Sequence, residues 1–328
     1  MAAPYFPGRQ KGSEAQFAGF VILAALLLLP TLLPEKIGWL TSLVPLPIFY
    51  CLVSLGNKKG SVSIRNGILL AAAGALLFGS LPMLIFSLTM VPLGITFALG
   101  VFKRKSQTAT GLIGFLILAL SWFLYWSAIA MLYQTNPYTT LLGELDKGLH
   151  SGLMLYEESA GLAPETLESI SRAVELLRVF IPKVLPALLV SALLSTVLLN
   201  LALGNWLLKK KNRELTPWPD YSAWKLPEPF VWLVVLSGAM FLLLPQPLNI
   251  LGLNGLIICS TVYFFQGLAI AASLLNRWSV PRLIRVLIYA LIFIQTYGII
   301  LLSFLGLLDV WADFRKLNHA ADNRNHSA

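Results

Sequence analysis

The feature that most constrains this chain is a succession of apolar runs, most of them close to 20 residues long. An α-helix rises 1.5 Å per residue, so about 20 residues cross the roughly 30 Å of hydrocarbon in a bilayer. Hydrophobic residues make up 57% of the chain and charged residues only 12%, against about a quarter charged in soluble domains. We see none of the alternating segments of about ten residues that are typical of membrane strands. The sequence therefore predicts an all-α fold, a polytopic bundle of transmembrane helices.

Two hairpins among the candidate spans are weak, because prolines interrupt short apolar runs there. Pro30 and Pro34 lie in the first hairpin, and Pro245 and Pro247 lie in the second. Either pair can be read as re-entrant, so we predict eight or nine spans within a single integral membrane domain, 1–328. The candidate spans are 17–33, 37–56, 67–81, 83–102, 110–133, 181–207, 229–245, 250–275 and 286–308.

The positive charge predicts how the bundle is oriented. The net charge of +9 falls in short clusters between the apolar runs, not in a basic stripe with interleaved aromatic residues, so we expect no nucleic-acid partner. If the N-terminus is cytoplasmic, the clusters within 58–65 and 103–105 and the basic loop 209–226 all face the cytoplasm, as the positive-inside rule requires. We expect 317–328 to be a flexible tail.

The segment 134–180 differs from the rest because it is acidic and amphipathic, and it carries seven of the 15 Asp and Glu residues. Pro164 suits the first turn of a helix, and Glu168 and Arg172 form a favourable i,i+4 pair. We predict two amphipathic helices on the extracytoplasmic face, the second running into the sixth span. They either lie in the interface or form a lid over an outward-facing cavity. Their apolar stripes are Leu142, Leu145, Leu149 and Leu153, then Leu167, Ile170, Val174, Leu177 and Ile181.

The spans carry no Asp or Glu near their middle. Proton- and sodium-driven transporters usually need a buried carboxylate, so an autonomous pump is not expected. No nucleophile–base pair or zinc motif is visible, and Cys51 and Cys259 fall separately inside apolar runs. We therefore predict neither an enzyme nor a metal or cofactor site.

Candidate ligand-binding residues cluster on the eighth span. Gln266 offers an amide beside Tyr263 and Phe265, and Gly267 allows a backbone to approach closely. Asn254 is a further amide on the same span. The alternative for each amide is a hydrogen bond between helices, because an amide in hydrocarbon must find a partner.

Two other patterns indicate contact surfaces. Gly67, Ala71, Ala75 and Gly79 recur every fourth residue, which lets membrane helices touch backbone to backbone, either within the chain or with a partner. At the C-terminal end, Asp309, Trp311, Asp313 and Arg315 close the last span. This C-terminal motif is either a membrane anchor with a local ion pair between Asp313 and a neighbouring cation, or a docking surface.

Three segments resemble the YybS-like family of bacterial membrane proteins, a domain of unknown function (DUF2232). They are 224–227 (Trp-Lys-Leu-Pro), 265–270 (Phe-Gln-Gly-Leu-Ala-Ile) and 306–316 (Gly-Leu-Leu-Asp-Val-Trp-Ala-Asp-Phe-Arg-Lys). More distantly, the family is similar to the S components of energy-coupling-factor transporters. The resemblance implies a bacterial cytoplasmic membrane location, a small-molecule ligand, and a transmembrane coupling protein with ATPases as partner. The chain departs from S components in its greater number of spans and in lacking a vitamin-binding motif.

Two hypotheses for function follow. The chain is either a transporter-like binding subunit without its own motor, or a structural or regulatory membrane scaffold that docks other membrane proteins. A cavity lined by aromatic and polar groups would favour the binding subunit, and solid packing between helices would favour the scaffold.

Overall fold

The computed structural model describes residues 9–157 and 164–315 and contains only helices and connecting turns there. The predicted tail 317–328 lies outside the described residues. The α-helices are α1 (Arg9–Leu32), α2 (Pro34–Ile37), α3 (Pro45–Leu55), α4 (Asn57–Leu77), α5 (Leu81–Leu88), α6 (Val91–Phe102), α7 (Gln107–Tyr133), α8 (Pro137–Glu157), α9 (Pro164–Lys211), α10 (Val231–Leu243), α11 (Leu248–Arg277), α12 (Arg282–Ile294) and α13 (Thr296–Ala312).

Six helical stretches of the described residues are long and apolar enough to cross a bilayer. A seventh is added if α12 and α13 count as one span, although the chain bends by 102° between them. The predicted span 286–308 is therefore a broken helix, with Gln295 at the break. The six stretches are Pro34–Leu55, Asn57–Leu77, Leu81–Phe102, Gln107–Tyr133, Glu165–Lys211 and Leu248–Arg277.

The predicted count of eight or nine spans depends on two shorter apolar helices, Gln16–Leu32 and Glu228–Leu243. At 1.5 Å per residue they reach only about 25 Å, which is less than the thickness of the hydrocarbon core. The finer count therefore stays a prediction, while the all-helical, multi-pass character of the chain is clear.

The chain divides into two compact units, residues 1–125 with 193–224 and residues 126–192 with 225–328. The first unit contains α1 to α6 with parts of α7 and α9. The second contains the remaining helices and the other parts of α7 and α9. The prediction of a single integral membrane domain over 1–328 stays a prediction.

In the first unit, α4 packs against α1 along its small residues. A Cβ added to Gly67 would lie 3.0 Å from the backbone oxygen of Phe20, and Ala71 and Ala75 are wholly buried in the same cluster as Leu23. The small-residue stripe is thus used within the chain, which is one of the two alternatives the sequence left open.

Gly79 does not belong to this stripe, because α4 ends two residues earlier. It adopts a positive φ of 67°, a conformation that glycine takes without the steric cost of a Cβ. The N–H of Ser80 then donates to the carbonyl of Ala75 at 2.9 Å, which closes the helix end.

In the second unit, both predicted amphipathic helices are present. They are α8 and the first part of α9, which begins at Pro164 and continues without interruption into the apolar stretch. Arg178 on α9 forms an ion pair with Asp146 on α8 at 2.8 Å, which connects the two helices. The predicted pair between Glu168 and Arg172 is confirmed. The side of the membrane on which this segment lies stays a prediction.

Replacing Ala75 by Leu tests the contact between α4 and α1. Ala75 has no exposed surface, so extra methylene groups should destabilise the protein by about 1–3 kcal/mol. Ala73→Leu is the matched control because Ala73 lies on the exposed face of the same helix. Thermal unfolding in detergent measures both, and equal unfolding temperatures would contradict the contact.

Candidate functional site

Gln266 lies at the centre of a polar cluster in the second unit and has no exposed surface. Its Nε2 donates to the carbonyl oxygen of Gly306 at 3.0 Å and to Oδ2 of Asp309 at 3.3 Å. Its Oε1 accepts from the backbone N–H of Leu226 at 3.2 Å. Both hydrogens of the amide group and one lone pair of its oxygen are therefore used inside the protein.

Asp309 connects this cluster to the turn after α13. Its Oδ2 accepts from Nη2 of Arg315 at 2.7 Å, and both side chains are 1% exposed. Its Oδ1 accepts from the backbone N–H of Phe314 at 3.0 Å. The chain turns back at Asp313, which has a left-handed φ of 38°. We call Gln266, Asp309, Arg315 and the backbone groups that they bind the Gln266 cluster.

The backbones of α11 and α13 touch beside this cluster. A Cβ added to Gly267 would lie 2.0 Å from the carbonyl oxygen of Leu302, and one added to Gly306 would lie 2.1 Å from that of Tyr263. No side chain fits in either place. The glycine predicted to allow a close backbone approach does so, and the group that approaches it is the chain's own helix.

The cluster brings together the three segments on which the family resemblance rests. Leu226 lies in 224–227, Gln266 and Gly267 lie in 265–270, and Gly306 and Asp309 lie in 306–316. Residues far apart in sequence thus form one hydrogen-bonded unit. Its geometry is that of a helix–helix connection, and the assignment of Gln266 as a ligand-binding residue stays a prediction.

Asn254 is also bonded within the protein. Its Nδ2 donates to the carbonyl oxygen of Lys183 at 2.8 Å, and its Oδ1 accepts from the backbone N–H of Ala187 at 2.9 Å. Those two backbone groups are the partners that close one turn of an α-helix. The side chain thus meets α9 immediately after Pro186, where the proline disturbs the helical hydrogen bonds.

Tyr263 and Phe265, the aromatic candidates, have different surroundings from the amides. Phe265 is buried and meets the ring of Phe264 edge to face at 5.6 Å. Tyr263 is 2% exposed, and its ring lies 5.8 Å from that of Phe230. Its hydroxyl group is buried and finds no hydrogen-bond partner among the described residues, which is uncommon for a buried polar atom.

Tyr263 also lines a cavity of about 240 Å³ among α10, α11 and α13. Ser303 lies on the wall and donates to the carbonyl oxygen of Ser260 at 3.0 Å, so its oxygen keeps acceptor capacity. Neither Ser260 nor Ser303 was predicted from the sequence as a site residue. One signal was available, since Ser260 is three residues before Tyr263 and hence on the same helical face. The other lining residues are Val234, Leu256, Cys259, Ile299, Ile300, Phe304 and Leu307.

The C-terminal motif divides into a buried part and an exposed part. Trp311 is 67% exposed, as a membrane anchor requires, whereas Asp309 and Arg315 are buried together. Arg315 forms an ion pair with Asp309, and the expected local ion pair at Asp313 stays a prediction. Asp309 precedes Asp313 by about one helical turn, so it lies beneath the turn that begins at Asp313.

No group of three or more His, Cys, Asp or Glu residues in 9–157 and 164–315 is arranged to hold a metal ion.

The helices, their apolar faces and the buried polar contacts between them define a multi-pass helical membrane protein. The sequence profile of the DUF2232 family, described as a predicted membrane protein, matches residues 21–310, and the chain belongs to that family. No curated protein and no solved structure matches the chain.

Substituting Gly267 by Ala tests the contact between α11 and α13. The new Cβ would overlap a carbonyl oxygen that the helix holds in place, so we expect a loss of about 3 kcal/mol or more in stability. Gly238→Ala is the control, because no atom lies within 4 Å of a Cβ at that position. It should gain up to about 1 kcal/mol from helix propensity. Thermal unfolding measures both variants, and equal unfolding temperatures would contradict the contact.

A double-mutant cycle tests the buried ion pair. Asp309→Asn and Arg315→Met each remove one member of the buried ion pair, so each should cost about 3–5 kcal/mol. The double variant should cost clearly less than the sum of the two, measured by denaturant or thermal unfolding. As a control, Lys147→Met removes one member of the exposed pair with Glu144 and should leave the unfolding temperature unchanged. Additive losses at 309 and 315 would show that the two groups are not coupled.

Proposed function

We propose that this chain is a transporter-like binding subunit without its own motor, which holds a small molecule in the cavity beside Tyr263. The proposal places it in the bacterial cytoplasmic membrane, with a transmembrane coupling protein and its ATPases as partner. It also takes the two shorter apolar helices as membrane-embedded, with the acidic helices α8 and the start of α9 on the outer side.

The buried hydroxyl group of Tyr263 is the observation that carries this proposal. An unsatisfied polar atom in a membrane protein costs free energy, and that cost is recovered if a ligand supplies the missing hydrogen bond. Tyr263 also belongs to the wall of a cavity, so a ligand bound there would lie against this residue. A mostly apolar wall with a few polar groups is the usual composition of a ligand site.

The size of the cavity indicates the size of the ligand. Pockets for drug-sized molecules occupy about 300–1,000 Å³, so a cavity of about 240 Å³ suits a smaller one. Tyr263 can donate a hydrogen bond and Ser303 can accept one. We therefore expect a small, largely apolar molecule that carries both an acceptor and a donor group.

The Gln266 cluster supports the proposal indirectly. Gln266 and Tyr263 are three residues apart on α11, and the cluster fixes that part of the helix against α13. Rigid elements hold ligand groups in place better than loops do. In this proposal Gln266, Gly267, Phe265 and Asn254 position the helices, and Tyr263 contacts the ligand.

Mass spectrometry of small molecules that copurify with the protein in mild detergent tests the site. Tyr263→Phe should remove the bound molecule while leaving the unfolding temperature unchanged or slightly raised, since it deletes an unsatisfied polar group. Ser260→Phe should also remove it, by filling the cavity. Tyr297→Phe is the matched control, because Tyr297 is 80% exposed and lies outside the cavity.

If no small molecule copurifies with the wild-type protein, or if Tyr263→Phe retains it fully, the proposed site is wrong. The same preparation identifies protein partners. Recovery of a transmembrane coupling protein with ATPases supports the transport role.

A scaffold that docks other membrane proteins is the second candidate, and the exposed face of the amphipathic helices favours it. Leu155 on α8 and Leu176 on α9 are 68% and 72% exposed, and exposed apolar groups of this kind often mark contact surfaces. The stripe on α4 is already occupied by α1, so docking through it is not favoured. Recovery of other membrane proteins without ATPases or a ligand would support this role.

A further inference from the structure

A second, larger cavity lies in the first unit, among α1, α3 and the C-terminal part of α9. Its volume is about 590 Å³, and its walls are almost entirely apolar. Ala18 and Ile22 belong to the wall and are exposed, so the cavity is a groove that opens on the surface of the unit. Its full lining is Ala18, Gly19, Ile22, Leu26, Leu46, Pro47, Tyr50, Cys51, Leu207, Lys210 and Lys211.

The charge of this groove is concentrated in two consecutive lysines at the end of α9. The ammonium group of Lys211 lies 5.6 Å from the centre of the Tyr50 ring, and that of Lys210 lies 5.3 Å from the centre of the Trp206 ring. Neither lysine forms an ion pair with a carboxylate in the part of the chain that the structure describes. By contrast, the neighbouring Lys209 is paired with Asp220 at 2.9 Å.

The groove has an apolar wall and, separate from it, two cationic groups. These match the two parts of an acidic phospholipid, its acyl chains and its phosphate group. A small soluble anion would use the lysines and leave the apolar wall exposed. A neutral apolar molecule would fill the groove and make no use of the ammonium groups. Basic pockets between membrane helices are known sites for acidic lipid head groups, and each nearby Lys or Arg contributes to the attraction.

We propose that this groove is a binding site for one acidic phospholipid. An acyl chain lies along α1 and α3, and the phosphate group contacts Lys210 and Lys211. The site is independent of the small-molecule cavity beside Tyr263, because it lies in the other unit and shares no residue with it.

Native mass spectrometry of the full-length protein tests the site. Phosphatidylglycerol and phosphatidylcholine with identical acyl chains are added to the protein in a neutral detergent, and the bound fraction of each is measured. Wild-type protein should prefer phosphatidylglycerol by roughly tenfold to thirtyfold, as two lysines imply. The preference should fall as ionic strength rises.

The double variant Lys210→Gln/Lys211→Gln should lose this preference. Lys58→Gln/Lys59→Gln removes the same charge from exposed positions on α4 that do not line the groove, and it should keep the preference. If both double variants lose it equally, the attraction is a general effect of net charge and the proposed site is wrong.

A second pair of variants tests whether an acyl chain occupies the groove. Ala18→Trp fills the groove from an exposed wall position and should abolish tight binding of phosphatidylglycerol. Ala73→Trp, on the exposed face of α4, should not. Glycerol 1-phosphate added in excess should fail to displace the lipid. Displacement by this soluble head group, or unchanged binding in Ala18→Trp, would show a surface anion contact and overturn the proposal.

Discussion

Backbone hydrogen bonding in the absence of water is the constraint on which this structure depends. A peptide N–H or C=O in hydrocarbon must find a partner within the protein, and every interruption of a helix exposes such groups. Pro186 has no N–H with which to reach the carbonyl of Pro182, and the hydroxyl group of Tyr138 donates to that carbonyl at 3.1 Å instead. Asn254 binds one carbonyl group and one N–H group in the next turn of α9.

Three further buried amides serve the same purpose. In the first unit, Asn200 donates to the carbonyl oxygen of Ser42 at 2.6 Å, where the chain forms a short 3-10 helix. Asn205 donates to the carbonyl oxygen of Pro219 at 2.7 Å, in a stretch without regular structure. In the second unit, Gln266 binds the backbone N–H of Leu226 ahead of α10. These amides hold backbone outside the α-helices against the α-helices.

The sequence predicted the helices well because apolar length and helix-start signals are local properties. The apolar runs gave the all-helical class, and Pro164 gave the start of α9. The sequence predicted much less about which side chains contact each other, because those contacts depend on how helices that are far apart in sequence meet. Nothing local shows that the carboxylate of Asp309 reaches Arg315, six residues further along the chain. Likewise, the sequence around an amide beside aromatic residues is the same whether that amide binds a ligand or a backbone carbonyl.

Tyr263 lies close to a rigid cluster, although its hydroxyl group has no hydrogen-bond partner among the described residues. Its carbonyl oxygen is fixed at the crossing of α11 and α13, where the Cα of Gly306 approaches. Its neighbour one turn along, Gln266, donates to the carbonyl oxygen of Gly306 and to the carboxylate of Asp309 on α13. The backbone at 263 is therefore held closely against α13. In the proposed binding site, a polar group held rigidly would lose little conformational entropy when a ligand binds, and such pre-organisation favours binding.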